Sequence, residues 1–312
     1  MTRPSVPSVL SGFLLLLCLA AVWWHFSRNP EALSPLRNIS REQLLALLAL
    51  HAALLGVNTL RFRLILHKCA ERNIPIIPWL FLFVHGRFLN TFVPQLGNVY
   101  RSVALKQQFG ISYTRYVTTL IAVGWLSTTL NLWLAWLLIV FQYPTLQLGG
   151  LNAVGLIATG GISITAGPFI ARLLFRIVHL NRQPRLAAKI TEVLNVTTVM
   201  IKDISWLGKV LSLGILVFVI AGLNLHLCFT MVGVAPLYGE TALFYTVLQV
   251  STLIKLTPSN LGPQELAFGF LGAQSTVGLS KGILGSAVFR AGAVVVLFCC
   301  SAVLVPFRRF SQ

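Results

Sequence analysis

The sequence predicts an all-α protein that crosses a membrane several times, on three observations. Hydrophobic residues make up 56% of the chain and charged residues only 10%, whereas a soluble domain carries ~25% charge. The apolar residues fall into runs long enough for a helix to cross the ~30 Å hydrocarbon core. Two of these runs are broken by matching stretches, NTFVPQLGNVYR at 90–101 and IKLTPSNLGPQE at 254–265. In both, Pro stands fifth and an ionisable residue twelfth, with a Gly between them. Paired interruptions in the two halves of a membrane protein point to a site formed by broken helices near the bilayer midplane. Two unrelated loops at helix ends are the competing explanation.

The formal net charge is +17. A basic soluble protein would suggest nucleic acid. Here the basic residues lie mostly between apolar runs, where the positive-inside rule and anionic lipid account for them, so the expected partner is the membrane and no nucleic acid. Seven acidic residues leave few candidates for paired-carboxylate catalysis, and no catalytic motif or GxxxxGK[ST] nucleotide loop is present. Cys18, Cys69, Cys228, Cys299 and Cys300 show no CxxC spacing and the six His no HExxH pattern. Neither a disulfide, a cofactor nor a metal site is expected, and the cysteines read as small apolar fillers.

In chain order, residues 9–26 form an uncharged run after Arg3; it has the shape of a secretory signal but reads as an uncleaved first helix. A polar segment through Arg28, Glu31, Arg37 and Arg41 precedes a second span, 43–60, and Arg61, Arg63, Lys68 and Arg72 then mark the cytoplasmic side by their density. Residues 79–93 are apolar apart from His85 and Arg87 and are cut by Pro94, about 22 Å at helical rise and too short to cross comfortably. Basic residues follow again at Arg101, Lys106 and Arg115, so this region reads as a re-entrant hairpin that enters from the cytoplasm and turns at PQLG.

Residues 116–141 span outward to the charge-free QYPTLQLGG, and 152–175 return to a basic cytoplasmic loop at 176–209. Within it, 186–201 reads either as an interfacial amphipathic helix or as a solvated linker. Residues 210–232 go out again to a nearly uncharged external turn, GVAPLYGE. A second hairpin follows, with arms 241–256 and 266–279 broken at TPSNLG, and 283–306 spans inward to Arg308 and Arg309.

The order span, hairpin, span thus occurs twice within one transmembrane domain, 1–312: repeat one over 43–141 and repeat two over 210–306. The first hairpin would enter from inside and the second from outside, an inverted repeat of the transporter type. About six full spans plus two hairpins place both termini in the cytoplasm. Arg28, Arg37, Arg41 and Lys281 would then lie outside, so eight plain spans remain the alternative.

The chemistry expected at the midplane is anion binding. Helix starts after Gly97 and Gly262 would point free N–H groups at the centre. Arg87, Arg101, Lys255 and Arg290 lie nearby in sequence with Glu265 as the one counter-charge, giving a net positive pocket suited to a phosphate-bearing headgroup. An ionised residue within a span costs at least ~2.5 kcal/mol and faces a cavity or a partner, which singles out Glu265 and Arg290. A purely structural Glu265–Arg101 pair is the competing reading, and Arg87 and Lys255 are expected to snorkel to a surface. Asn90, Thr91, Thr257, Ser259 and Asn260 can satisfy backbone groups freed by the breaks. Asn90 and Thr257 are candidate substrate contacts beside Arg101, Glu265 and Arg290, and Pro94, Gly97, Pro258 and Gly262 form the turns.

FLNTFVPQLGNVYRSVALKQ and LIKLTPSNLGPQELAFG resemble the two signature stretches of the lysylphosphatidylglycerol synthase transmembrane-domain family, also called the flippase domain, over most of the chain. Arg290 also resembles a recurrent Arg of that family. The resemblance implies a multi-pass protein of a bacterial or archaeal membrane, here the bacterial cytoplasmic (inner) membrane, whose best-understood relatives move an aminoacylated phospholipid between leaflets. By the same resemblance Asn90, Pro94, Gly97 and Arg101 match the first motif, and Pro258, Gly262 and Glu265 the second. Gln95 departs from a frequent Gly, Asn98 from a frequent acid and Pro263 from an aliphatic residue, which puts the headgroup in doubt.

Neither a synthetase nor a glycosyltransferase domain is read within these 312 residues, so the expected resemblance is to the stand-alone members. The resulting expectation is a non-enzymatic lipid flippase or lipid-linked-precursor transporter for a phospholipid or polyprenyl-linked lipid. The alternative is a non-transporting membrane subunit that positions a separate glycosyltransferase or synthetase through the basic loop. An intramembrane enzyme acting on a lipid phosphate is the weakest reading, since no acid and base pair stands out beyond Glu265.

Overall fold

The computed structural model describes residues 6–177, 203–253, 257 and 260–306. Ten α-helices are described in that span: α1 Val6–Arg28, α2 Arg41–Ala70, α3 Ile76–Phe92, α4 Leu96–Phe109, α5 Tyr113–Gln142, α6 Ala153–Ile177, α7 Ile204–Met231, α8 Tyr238–Leu253, α9 Pro263–Ala273 and α10 Leu279–Leu304. A 3-10 helix, Pro30–Asn38, follows α1. Five of the helices are long and apolar enough to cross a membrane: α2, α5, α6, α7 and α10. The protein is an all-α polytopic membrane protein. The loop at 178–202, with the segment 186–201, lies outside the described residues, as do Lys255, Pro258, Ser259, Arg308 and Arg309.

Local chemistry sets the helix ends. Ser40 and Gln43 form a capping box at the start of α2, each side chain bonding the other's backbone N–H at 3.1 and 3.0 Å, and Ser112 caps α5 through the N–H of Arg115. Between α5 and α6 the charge-free stretch folds into a two-stranded antiparallel hairpin, β1 Gln147–Leu148 and β2 Leu151–Asn152. Its turn is Gly149-Gly150, with φ of 57° and 81°, the positive pair that a tight two-residue hairpin needs.

Helix, helical hairpin, helix occurs twice: α2, α3/α4, α5 and then α7, α8/α9, α10. The packing follows the same scheme in both halves. α5 lies on α8 of the second hairpin, α10 lies on α3 of the first, and α2 packs on α7 across the centre. An aromatic cluster packs within each half: Phe62, Trp79, Phe83 and Tyr116 join α2, α3 and α5, and Phe229, Phe244 and Phe268 join α7, α8 and α9. Close approach depends on small residues, as it does between membrane helices generally. A Cβ on Gly214 would come within 2.5 Å of Leu130 and 3.2 Å of the Arg61 guanidinium, and one on Gly292 within 2.7 Å of His51.

Two expected boundaries move. The second span does not stop at residue 60: α2 continues to Ala70, so Arg61 is a helical residue 3% exposed and no loop charge. In GVAPLYGE, residues 238–240 already belong to α8, and Glu240 is buried, accepting from the N–H and hydroxyl of Thr276 at 3.0 and 2.7 Å. That carboxylate ties the start of α8 to the turn after α9. The turn between α7 and α8 is therefore shorter than the sequence suggests and is not closed by an exposed charge.

Candidate functional site

Each hairpin is broken where Pro and Gly interrupt its apolar run. In the first, α3 ends at Phe92 and α4 begins at Leu96, two residues before the expected start at 98, so Gly97 is already helical. Pro94 brings no N–H to the turn, and Gln95 takes a left-handed conformation with φ 66°. Gly97 lies directly against α3: a Cβ there would sit 1.6 Å from the carbonyl oxygen of Gly86. The N–H of Gly97 donates to Asn90 Oδ1 at 2.7 Å, so Asn90 satisfies a donor freed by the break, as lipid could not.

The second break leaves α9 starting at Pro263, directly after Gly262 with φ 91°. Glu265 turns back to accept from the N–H of Gly262 at 2.7 Å, placing a negative charge at a helix start where dipole and free donors favour it. Thr257 donates to the carbonyl of Leu261 at 2.7 Å, and Asn260 donates to the carbonyl of Ser251. A side chain on Gly262 would collide with Cys18 of α1 at 2.3 Å, so the first helix packs on this turn.

Between the breaks lies a cavity of about 410 Å³. Asn90, Pro94, Arg101, Thr257 and Arg290 line it, as do Arg87, Asn98, Asn260 and Gln264. α2 and α5 add Asn58, Arg61, Ser127 and Thr128. The two motifs, more than 150 residues apart in the chain, therefore face one space. Gly97 and Gly262 serve the turns behind it, and Pro258 lies outside the described residues.

Among the described residues four arginines stand in this wall and no carboxylate does. Arg290 is neutralised from behind: its Nη2 lies 2.9 Å from Glu265 Oε1 and also donates to the carbonyl of Asn260 at 3.2 Å. This pair takes the place of the Glu265–Arg101 pair considered from the sequence. Arg101, 4% exposed, bonds neutral acceptors only, the Gly97 carbonyl at 3.2 Å through Nε and Asn98 Oδ1 at 2.7 Å through Nη2. The rings of Phe83 and Phe62 flank its guanidinium at 5.3 and 5.9 Å.

Arg61 donates to Ser127 Oγ at 3.0 Å, and its Nε and Nη2 have no partner among the described residues. Arg87, expected to snorkel to a surface, is exposed and also stands in the cavity wall. Removing one guanidinium from water costs ~2.5–3.5 kcal/mol even on the mildest insertion scale. Arg61, Arg87 and Arg101, none with a carboxylate partner among the described residues, stand in one wall, an arrangement that attracts an anion.

Arg61 was hidden from sequence reasoning by its neighbours, because Arg63, Lys68 and Arg72 made it look like the first residue of a basic loop. A usable signal was present: Asn58 and Arg61, three apart, share a helix face. Ser127 and Thr128, small polar residues in an otherwise uncharged span, carried a weaker one.

The fold and the cavity define the class: an all-α polytopic membrane protein with a basic cavity between two broken-helix hairpins. The family model for the lysylphosphatidylglycerol synthase TM region matches residues 9–301, and the chain belongs to that family. No curated protein and no solved structure gives a match.

Proposed function

We propose that the protein is a lipid flippase or lipid-linked-precursor transporter that takes an anionic headgroup into the cavity between the two hairpins and passes it across the bilayer. The observation that carries this reading is the charge of the cavity wall, where four arginines stand among the described residues and the Glu265 carboxylate is paired with one of them, Arg290. The family supports a lipid-related role in the membrane.

In this reading α3/α4 and α8/α9 are re-entrant elements of an inverted repeat. Their arms of 17, 14, 16 and 11 residues fall short of the ~20 needed to cross. Each hairpin abuts the last helix of the other half, so a rocking of the halves would open the cavity to one leaflet and then the other. Both termini face the cytoplasm, and the membrane is the bacterial cytoplasmic one. Movement is driven by a gradient or a partner, or runs downhill, since the sequence holds no nucleotide-binding loop.

The test is headgroup translocation in vesicles reconstituted with the full chain, using a fluorescent anionic phospholipid and a membrane-impermeant quencher. Faster loss of the protected fraction than in protein-free vesicles, abolished by Arg101→Gln, is the expected result. Binding of the lipid with no acceleration in vesicles of any composition would contradict transport and leave a lipid-binding subunit.

A further inference from the structure

The cavity wall also defines how much negative charge its occupant carries. Arg61, Arg87 and Arg101 have no carboxylate partner among the described residues, and the one acidic group near the cavity is committed to Arg290. Arg101 is met by the amide oxygen of Asn98, a neutral acceptor at a position where an aspartate of the same shape would cancel the charge. Arg61 is almost fully buried with two guanidinium nitrogens unpartnered among the described residues. A phosphodiester headgroup brings one negative charge, and an aminoacylated one brings a compensating cation that three arginines would repel.

We infer that the cavity takes a terminal phosphomonoester or a diphosphate, a group with about two or more negative charges near neutral pH, in preference to a phosphodiester or aminoacylated headgroup. This rests on the lipid-binding reading above and specifies its substrate class. Guanidinium forks suit such a group because a terminal phosphate offers three oxygens to planar bidentate donors. Asn90, Asn98, Ser127 and Thr128 supply neutral hydrogen bonds around it. The same chemistry could come from a lipid, such as phosphatidic acid or a polyprenyl diphosphate, or from a free anion, and the two sources separate experimentally.

The experiment is native mass spectrometry of the detergent-solubilised full chain, titrated in parallel with phosphatidic acid, a polyprenyl diphosphate, phosphatidylglycerol, lysyl-phosphatidylglycerol, inorganic phosphate and pyrophosphate. Phosphatidic acid or the diphosphate lipid is expected to bind at least about tenfold tighter than phosphatidylglycerol, because each added charge meets a further cation that has no carboxylate partner. Lysyl-phosphatidylglycerol is expected to bind weakest. Arg87→Gln and the isosteric Asn98→Asp should each shrink the preference to about threefold or less; the second keeps the side chain's shape and gives up the hydrogen bond from Asn98 Nδ2 to Gln95 Oε1.

Equal or tighter binding of phosphatidylglycerol overturns the charge assignment while the lipid-transport reading stands. Pyrophosphate binding as tightly as the lipids supports the diphosphate chemistry and removes the lipid reading. No binding of any of the six overturns both.

Discussion

The two hairpins share a plan and use their charged residues in opposite ways. In α3/α4 the cation, Arg101, bonds its own backbone and a neutral amide, so its charge is left to the cavity. In α8/α9 the carboxylate, Glu265, is spent within the protein: one oxygen caps its own helix at Gly262 and the other holds Arg290 of α10. The first hairpin presents charge and the second fixes structure. The asymmetry makes the cavity basic although the two motifs read as a cation and an anion of equal standing.

Stability and function should accordingly separate between the halves. The largest effect is expected at Arg290→Ala, which strands the buried Glu265 carboxylate and should cost about 3–5 kcal/mol. Thermal unfolding in detergent checks it. Arg101→Gln should lose far less stability but most of the anionic-lipid binding. If Arg101→Gln destabilises as much as Arg290→Ala, the division between the hairpins is wrong.

Next come the turns. Gly97→Ala drives a methyl into the carbonyl of Gly86 and must push the arms of α3/α4 apart, an overpacking cost of about 1–3 kcal/mol or more. Gly262→Ala adds left-handed strain to a clash with Cys18, and the expected loss is at least as large. Both are read as lowered melting temperature and yield of folded protein.

Smaller still is Asn90→Ala, which leaves the Gly97 N–H without its acceptor and should cost about 1–3 kcal/mol. Thr257→Val deletes the matching bond to Leu261 and is expected at the low end of that range. Comparable values for the two would show that a polar side chain braces each break in the same way.

The smallest effect lies outside the cavity, where Lys68 Nζ meets Asp203 Oδ2 at 2.6 Å and joins the ends of α2 and α7. The Lys68 ammonium, with the N–H of Trp206, holds the Asp203 carboxyl below its usual range. A carboxyl depressed in the folded state contributes stability above its unfolded pKa of about 3.9 and loses it as pH falls through the folded value. The Lys68→Ala difference should therefore be present at pH 7, shrink below about pH 4 and weaken with added salt.

The helix breaks were legible in the sequence because a Pro and a Gly inside an apolar run have few meanings in a bilayer. The bracing by Asn90 and Thr257 was legible too, since freed backbone groups need partners. What the sequence concealed depends on three-dimensional position. Arg61 belongs to a helix that outlasts its apolar run by a further ten residues. Arg87 has a stem long enough to reach either a surface or a cavity, and composition cannot choose between them. The Glu265–Arg290 pair joins α9 to α10 across a turn whose angle no local pattern encodes, and the burial of Glu240 follows from the turn after α9 folding back onto the start of α8.

The most direct test of the division between the hairpins is mass spectrometry of lipids that co-purify with the wild type, Arg101→Gln and Glu265→Gln, normalised to folded protein. An anionic lipid enriched on the wild type, lost from Arg101→Gln and retained by whatever fraction of Glu265→Gln folds is the predicted result. Bulk-membrane lipid composition on all three would contradict it.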